Sequence, residues 1–309
     1  MIDSIVLLGF GGPAAPQEVR PFLDRVLDGR SVPTQRYEAV VEHYVQIGGC
    51  SPYNDLAERQ RSALADELRN RDLTFPVHLA LRNTEPFIRD VLTDLAKRGA
   101  KSLFLIPLAA YGGAASADRY IAAASETLTS MGDRAPRVRY ASPFYDHPLF
   151  IQAHASRIRE RLQKSGRQDA DVPIVFTAHS VPSGAAVPYA RQLDYTAARV
   201  AKAVNAPTWT LAYQSRSGAP NESWLEPDVR QVLRRLGERG VRDVLVAPIG
   251  FLCEHVEVLY DLDIDAAGVA RDSRMTMLRA QALDDHPLFI AMLADLVERA
   301  FAESSRVTQ

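Results

Sequence analysis

Cysteine is nearly absent: among 309 residues only Cys50 and Cys253 occur. Two thiolates fall short of the three or four that a structural zinc site or an iron-sulfur cluster takes. The pair reads as reduced, buried small residues rather than as a disulfide. A charge surplus is missing too. The 36 Lys and Arg stand against 38 Asp and Glu, a formal net charge of -2, so no global field draws in nucleic acid or an anionic membrane. The opening MIDSIVLLGFGGP has no basic region before its apolar stretch, and that stretch is too short to span a bilayer. A cytoplasmic protein without stable membrane insertion is expected. The length suffices for two domains, each with its own core.

What is present is an alternation. Short β-rich runs, IVLLGF (5–10), VHLALR (77–82), SLFLIPLAAY (102–111), IVFTAHS (174–180), TWTLAYQS (208–215) and DVLVAPIGF (243–251), alternate with helix-period segments such as ERQRSALADELRNR and DVRQVLRRLGERG. That order predicts an α/β fold with parallel sheets and crossover helices. The chain also repeats itself. EPFIRDVLTDLAKRGAKSLFLIPLAAY from Glu85 lines up with EPDVRQVLRRLGERGVRDVLVAPIGFL from Glu226 at a constant offset of 141, and DHPLFI occurs at 146–151 and again at 285–290. Two lobes are therefore expected, residues 1–160 and 161–309, with the polar connector 164–173 as the joint and the last helix free to pack back on the first lobe. Open parallel sheets take ligands beyond the carboxyl ends of their strands, so the site is expected there. Aligning the opening strands puts Phe10 beside His179 as equivalents, while the counterpart of Glu257 is Ser116. The polar chemistry therefore gathers in the second half.

The run PIGFLCEHVEVLYDLDID (248–265) takes a strand-like segment straight into acids. Glu257, Asp261 and Asp265 fall at i, i+4 and i+8, one face of an α-helix with like charges stacked, which suits a place that receives a cation. An ordinary solvated acidic face is the plainer alternative. His179, after an apolar strand in TAHSVP, can take a proton near neutral pH or bind a borderline cation such as Fe2+, and burial is expected to keep it neutral. His255 is expected to orient a carboxylate. His147 and His286 sit in the DHP repeats, where Asp is expected to cap a helix. GFGGP lacks the spacing of a nucleotide loop, and IGGCSPYN reads as a turn in which Ser51 and exposed amides can bind a carboxylate. Tyr213, Gln214, Ser215, Arg216 and Trp224 surround the loop Gly218-Ala219-Pro220 as a binding wall, and Arg25, Arg30, Arg36, His43 and Tyr44 interleave cations with aromatics. An anionic, flat, apolar ligand accounts for both sets.

In order and over essentially the whole chain, LLGFGGP, IGGCSP, TAHSVP, AYQSRSGAPNESWLEPDV and PIGFLCEHVEVLYDLDID resemble the signature blocks of the ferrochelatase family. The resemblance implies two similar Rossmann-like lobes, each a parallel sheet flanked by helices, with a porphyrin cleft between them. It implies a lyase that inserts Fe2+ into a porphyrin in haem biosynthesis. By position it implies His179 and Glu257 as catalytic, with Asp261 and Asp265 continuing a line of metal-handling acids. Phe10 is implied to face the macrocycle, and His43, Ser51 and Tyr120 to hold propionates, although some soluble relatives have Arg at the position of His43.

Certain relatives carry an iron-sulfur cluster on four cysteines. Here Ala117 stands at one of those positions and no cysteine follows Cys253, so no cluster is expected. The C-terminal extension that supports dimers in animal enzymes is missing, so a monomer is expected. Soluble bacterial relatives use coproporphyrin III, with four propionates, and membrane-associated ones protoporphyrin IX, with two. The opening motif is similar to the soluble group and no long apolar lip follows, so coproporphyrin III is the expected substrate and protoporphyrin IX the alternative. Iron arriving along the acids, and iron arriving from the Phe10 side with the acids exporting protons, both stay open. The rival readings are a cobalt or sirohydrochlorin chelatase, against which the YQSRSG and WLEP block weighs, and a non-catalytic haem or metal carrier.

Overall fold

The computed structural model describes residues 2–113, 117–167, 172–206, 208–217 and 222–306. Ser116, the loop Gly218-Ala219-Pro220 and the centre of the 164–173 connector lie outside the described residues. The described residues form eight strands: β1 (Ser4–Gly9), β2 (Val77–Leu81), β3 (Ser102–Pro107), β4 (Arg137–Tyr140), β5 (Ile174–His179), β6 (Trp209–Gln214), β7 (Asp243–Ala247) and β8 (Thr276–Arg279). Between and after them run α1 (Val19–Leu27), α2 (Thr34–Gln46), α3 (Tyr53–Asn70), α4 (Ile88–Lys97), α5 (Ala117–Met131), α6 (Pro148–Lys164), α7 (Val187–Ala203), α8 (Val229–Glu238), α9 (Val256–Leu259), α10 (Ala267–Asp272) and α11 (Pro287–Arg306). Among the described residues no helix is long and apolar enough to cross a membrane.

The chain divides into two compact units, one of Met1–Val41, Gly49–Pro143 and Asp284–Gln309, the other of Glu42–Gly48 and Phe144–Leu283. In the first, the sheet order is β2-β1-β3-β4 with every pair parallel. In the second it is β6-β5-β7-β8, again all parallel. The sequence repeat is thus a repeat of topology, with β1 and β5 in equivalent central places. Each central strand reads as a near-continuous apolar run because helices cover both its faces. All six residues of β1 are buried. In the first unit Val6, Leu8, Ala80, Leu92 and Leu105 meet in one cluster. In the second, Val175, Val246, Leu233, Val258 and Leu262 do the same, so the helical turns following β7 are tied to the core.

The edge strands β4 and β8 are not apparent in the sequence. Each has four residues, and RVRY and TMLR put arginine where an inner strand would put an apolar side chain. Such short, charged edges deter pairing with another chain. The DHP repeats also differ from expectation: histidine rather than aspartate is the cap. His147 Nδ1 accepts the amide of Leu149 at 3.3 Å and His286 Nδ1 that of Leu288 at 3.2 Å.

Candidate active site

His179 ends β5, paired in register with Gln214 at the end of β6. The strand arrives there tightly packed. The Gly250 amide donates to the Thr177 carbonyl at 3.0 Å, and a Cβ on Gly250 would stand 2.5 Å from Ala178 Cβ and 2.6 Å from its Cα. Only glycine lets the segment after β7 lie so close to the strand that delivers the histidine. Beyond it, His255 caps α9: its Nδ1 accepts the Glu257 amide at 3.1 Å, and its ring meets Phe251 edge to face at 4.8 Å. The cap fixes where Glu257 begins. Gln214 Nε2 donates to the Glu257 carbonyl, tying β6 to the same turn.

These supports bring Glu257 Oε1 to 3.3 Å from His179 Nε2. The other ring nitrogen, Nδ1, contacts the Ser180 carbonyl. A carbonyl oxygen only accepts, and so does an ionised carboxylate, so these contacts suit an imidazole that donates from both ring nitrogens, the cationic form. The electrostatics point the same way. Burial pulls the His179 pKa down, but the charge and hydrogen bond of Glu257, then the Ser180 carbonyl and Asp261, outweigh it, and the net shift is upward. Burial pushes Glu257 up, yet His179 and then His255 hold it below the usual carboxylate value. The expectation of an imidazole kept neutral by burial is therefore corrected: the adjacent acid wins. His255 takes the opposite course, lowered by burial first, against Glu257 and Glu254.

The acidic stripe also differs from expectation. It is not one α-helix: Asp261–Ala266 is π-helical, with the Asp265 amide bonded to the Tyr260 carbonyl five residues back at 3.0 Å. An α-helix drifts by about 80° over eight residues. A π-turn of about 4.4 residues takes back much of that drift, so the spacing of four is kept in line. Asp261 feels both Glu257 and Asp265, and with burial as the largest cause its pKa rises to about 7 despite the hydrogen bond from Ser215. Ser215 reaches it from a left-handed backbone, φ 61°. Asp265 pairs with Arg230 at 3.1 Å, which also holds Asp228 at 2.9 Å. Among the described residues no three His, Cys, Asp or Glu side chains converge to hold a metal ion.

Around this centre, Tyr44 is buried and its hydroxyl is pushed up by burial and by Glu257, while His43 stacks on Tyr260 at 3.6 Å and 10°. Gln214 is 2% exposed and its Oε1 has no hydrogen-bond partner among the described residues. A cavity of about 450 Å3 opens beside it, lined also by Ser180, Tyr213, Arg216 and Arg230. Tyr213 alternates with Gln214 along β6, and its hydroxyl is raised by burial and by Asp194 of α7. Trp224 Nε1 donates to Glu222 at 2.9 Å.

In the first unit the GFGGP loop is tied to the start of α3. Phe10 N donates to Tyr53 Oη at 3.0 Å and Gly12 N to Asn54 Oδ1 at 2.9 Å, so those amides do not cradle a phosphate. The Phe10 ring is partly exposed and meets Phe22 edge to face at 6.0 Å. Ser51 is buried against Gly12, its Oγ accepting the Tyr53 amide at 3.3 Å. Tyr120 packs on the core beside Arg119. The Arg119 pKa is lowered by burial and then by the like charges of Arg30 and Arg82, and Arg82 Nη1 is buried without a hydrogen-bond partner among the described residues. Arg82, Arg119 and Gly250 are the functional candidates to which the sequence assigns no role. Three guanidiniums from separate segments leave no linear signature.

The comparisons follow the same lines. The mycobacterial relatives include the coproporphyrin III ferrochelatases of Mycolicibacterium paratuberculosis, 39% identical over 99% of this chain and 91% of that protein, and of Mycobacterium avium, 38% identical over the same shares. Among solved structures the fold is similar to SirB from Bacillus subtilis with Fe3+, at a TM-score of 0.61 and 15% identity over 99% of this chain and 98% of that one. It is also similar to CbiX, the terminal enzyme of sirohaem biosynthesis in denitrifying bacteria, at 0.56 and 16% over 96% and 99%. At those identities they speak for the two-sheet fold alone. The ferrochelatase family model matches residues 3–301, and the chain belongs to that family, a metal chelatase of the lyase class with iron as its substrate metal.

Proposed function

We propose that this ferrochelatase acts on coproporphyrin III, yielding coproheme, with His179 and Glu257 as its proton-handling pair. The observation that carries the substrate choice is the arginine cluster: Arg30 and Arg82 lie near enough to Arg119 to lower its pKa, and a nitrogen of Arg82 is buried unpaired. Like charges held together repel unless an anion joins them, and Arg30 and Arg119 are exposed to receive one. A tetracarboxylate supplies more such anions than a dicarboxylate. The names of the relatives at 38–39% identity support the same choice.

Insertion exchanges two pyrrole protons for Fe2+. At rest the pair is charged, so His179 must first give up its proton before it takes one from a pyrrole nitrogen. Glu257, at 3.3 Å, is the carboxylate beside it that can take that proton. Asp261, with a pKa of about 7, is poised to receive and release protons at neutral pH, while Asp265 is occupied by Arg230. Both facts favour the acids as a route for protons leaving the ring rather than as a holding site for iron. His43, Tyr213, Gln214 and Trp224 are read as substrate-side groups, and His255 as the cap that positions Glu257.

Turnover measured side by side on coproporphyrin III and protoporphyrin IX tests the reading. The expected kcat/KM favours coproporphyrin III by at least about tenfold, one charge-assisted contact's worth. Equal values, or a preference for protoporphyrin IX, would contradict it.

A further inference from the structure

Arg279, the last residue of β8, reaches acids on both sides of the turn that carries Glu257. Its Nη1 donates to Glu254 Oε1 at 2.5 Å and to the Ala280 carbonyl at 3.3 Å. Its Nε and Nη2 fork onto the two oxygens of Asp263 at 2.6 and 2.7 Å. Only 15% of this side chain is exposed, against 11% for Glu254 and 34% for Asp263. Glu254 Oε1 also accepts the Ala282 amide at 2.9 Å, anchoring it to the segment after β8. Glu254 directly precedes the capping His255, and Asp263 lies in the π-helical segment two residues after Asp261.

A π-turn has poorer local hydrogen bonding than an α-turn and persists where its neighbours hold it. Here one planar guanidinium binds a carboxylate before the turn and, bidentately, one within it. A point charge on a flexible stem does not reproduce that fork. We propose that Arg279 is a positioning residue for metal insertion: it clamps the segment from Glu254 to Asp263 and so sets where Glu257 stands relative to His179. The clamp rests on the functional reading above, in which Glu257 serves the insertion step.

The test is a double-variant cycle on ferrous insertion into coproporphyrin III, with the fold checked by near-ultraviolet circular dichroism. Arg279→Lys is expected to lower kcat by about 10- to 100-fold with the porphyrin KM unchanged. In a Glu257→Gln background the same substitution is expected to change the residual rate by less than about twofold, because its effect runs through Glu257. Asp263→Asn, which removes half of the clamp at its more exposed end, is expected to repeat the kcat loss should Arg279→Lys fold poorly. Arg279→Lys at the parent rate while Glu257→Gln is impaired would overturn the clamp alone. So would a loss of equal size in both backgrounds, the mark of a merely structural role. Glu257→Gln at the parent rate would overturn the functional reading, and the clamp with it.

Discussion

At the scale of single residues the proposed chemistry turns on the charge of His179, and two acceptors decide it: the Ser180 carbonyl on one ring nitrogen and Glu257 on the other. A group raised in the folded state stabilises fully below its ordinary pKa and loses that contribution as pH climbs through the raised value. His179 therefore supports the fold most below pH 6.5, and the support fades above it. Titration of the ring by NMR is expected to place its pKa above 6.5, and Glu257→Gln to bring it down; an unmoved value would show that the acid does not set the charge. Asp261 runs in the same direction. It keeps a proton that the unfolded chain releases, so stability declines as pH rises from 3.8 to about 7. Thermal melts of Asp261→Asn against the parent are expected to show a relative gain of about 1–3 kcal/mol on going from pH 4 to pH 8. A constant difference would contradict that. The identities of His179 and Glu257 were legible from their placement after strands in the second half of the chain. The charge of the pair was not, because it depends on a carbonyl and a carboxylate meeting one ring in space.

Among the elements, the π-helical segment and the cap before it shape the site more than any long helix does. The sequence presents acids every fourth residue and so suggests an α-helix, since α- and π-turns both place such residues near one face. Nothing in DLDID itself separates the two. The difference comes from neighbours that grip the segment: Ser215 on Asp261, Arg279 on Asp263 and Arg230 on Asp265. Strand β5 is fixed in a similar way by the close approach of Gly250. Gly250→Ala is expected to cost about 1–3 kcal/mol by overpacking and to lower metal insertion by displacing His179, as a melt and a rate on one preparation would show; an unaffected rate would mean that the strand end has slack. The central strands were readable as apolar runs, whereas β4 and β8 were hidden by their edge arginines.

Across the whole chain, the duplication visible as a constant offset of 141 residues reappears as two sheets of identical strand order. What the duplication hides is the division of labour. The second unit carries the imidazole and the acids, and the first gathers Arg30, Arg82 and Arg119. Arg82→Met is expected to raise KM for coproporphyrin III by about tenfold and to affect protoporphyrin IX less; equal effects would argue against carboxylate recognition. The role proposed for the pair at 3.3 Å is tested most directly by single-turnover iron insertion in His179→Ala, with porphyrin binding followed in the same cuvette. The prediction is unchanged porphyrin affinity with insertion slowed by about 100- to 10,000-fold. Insertion within a few-fold of the parent rate would contradict it.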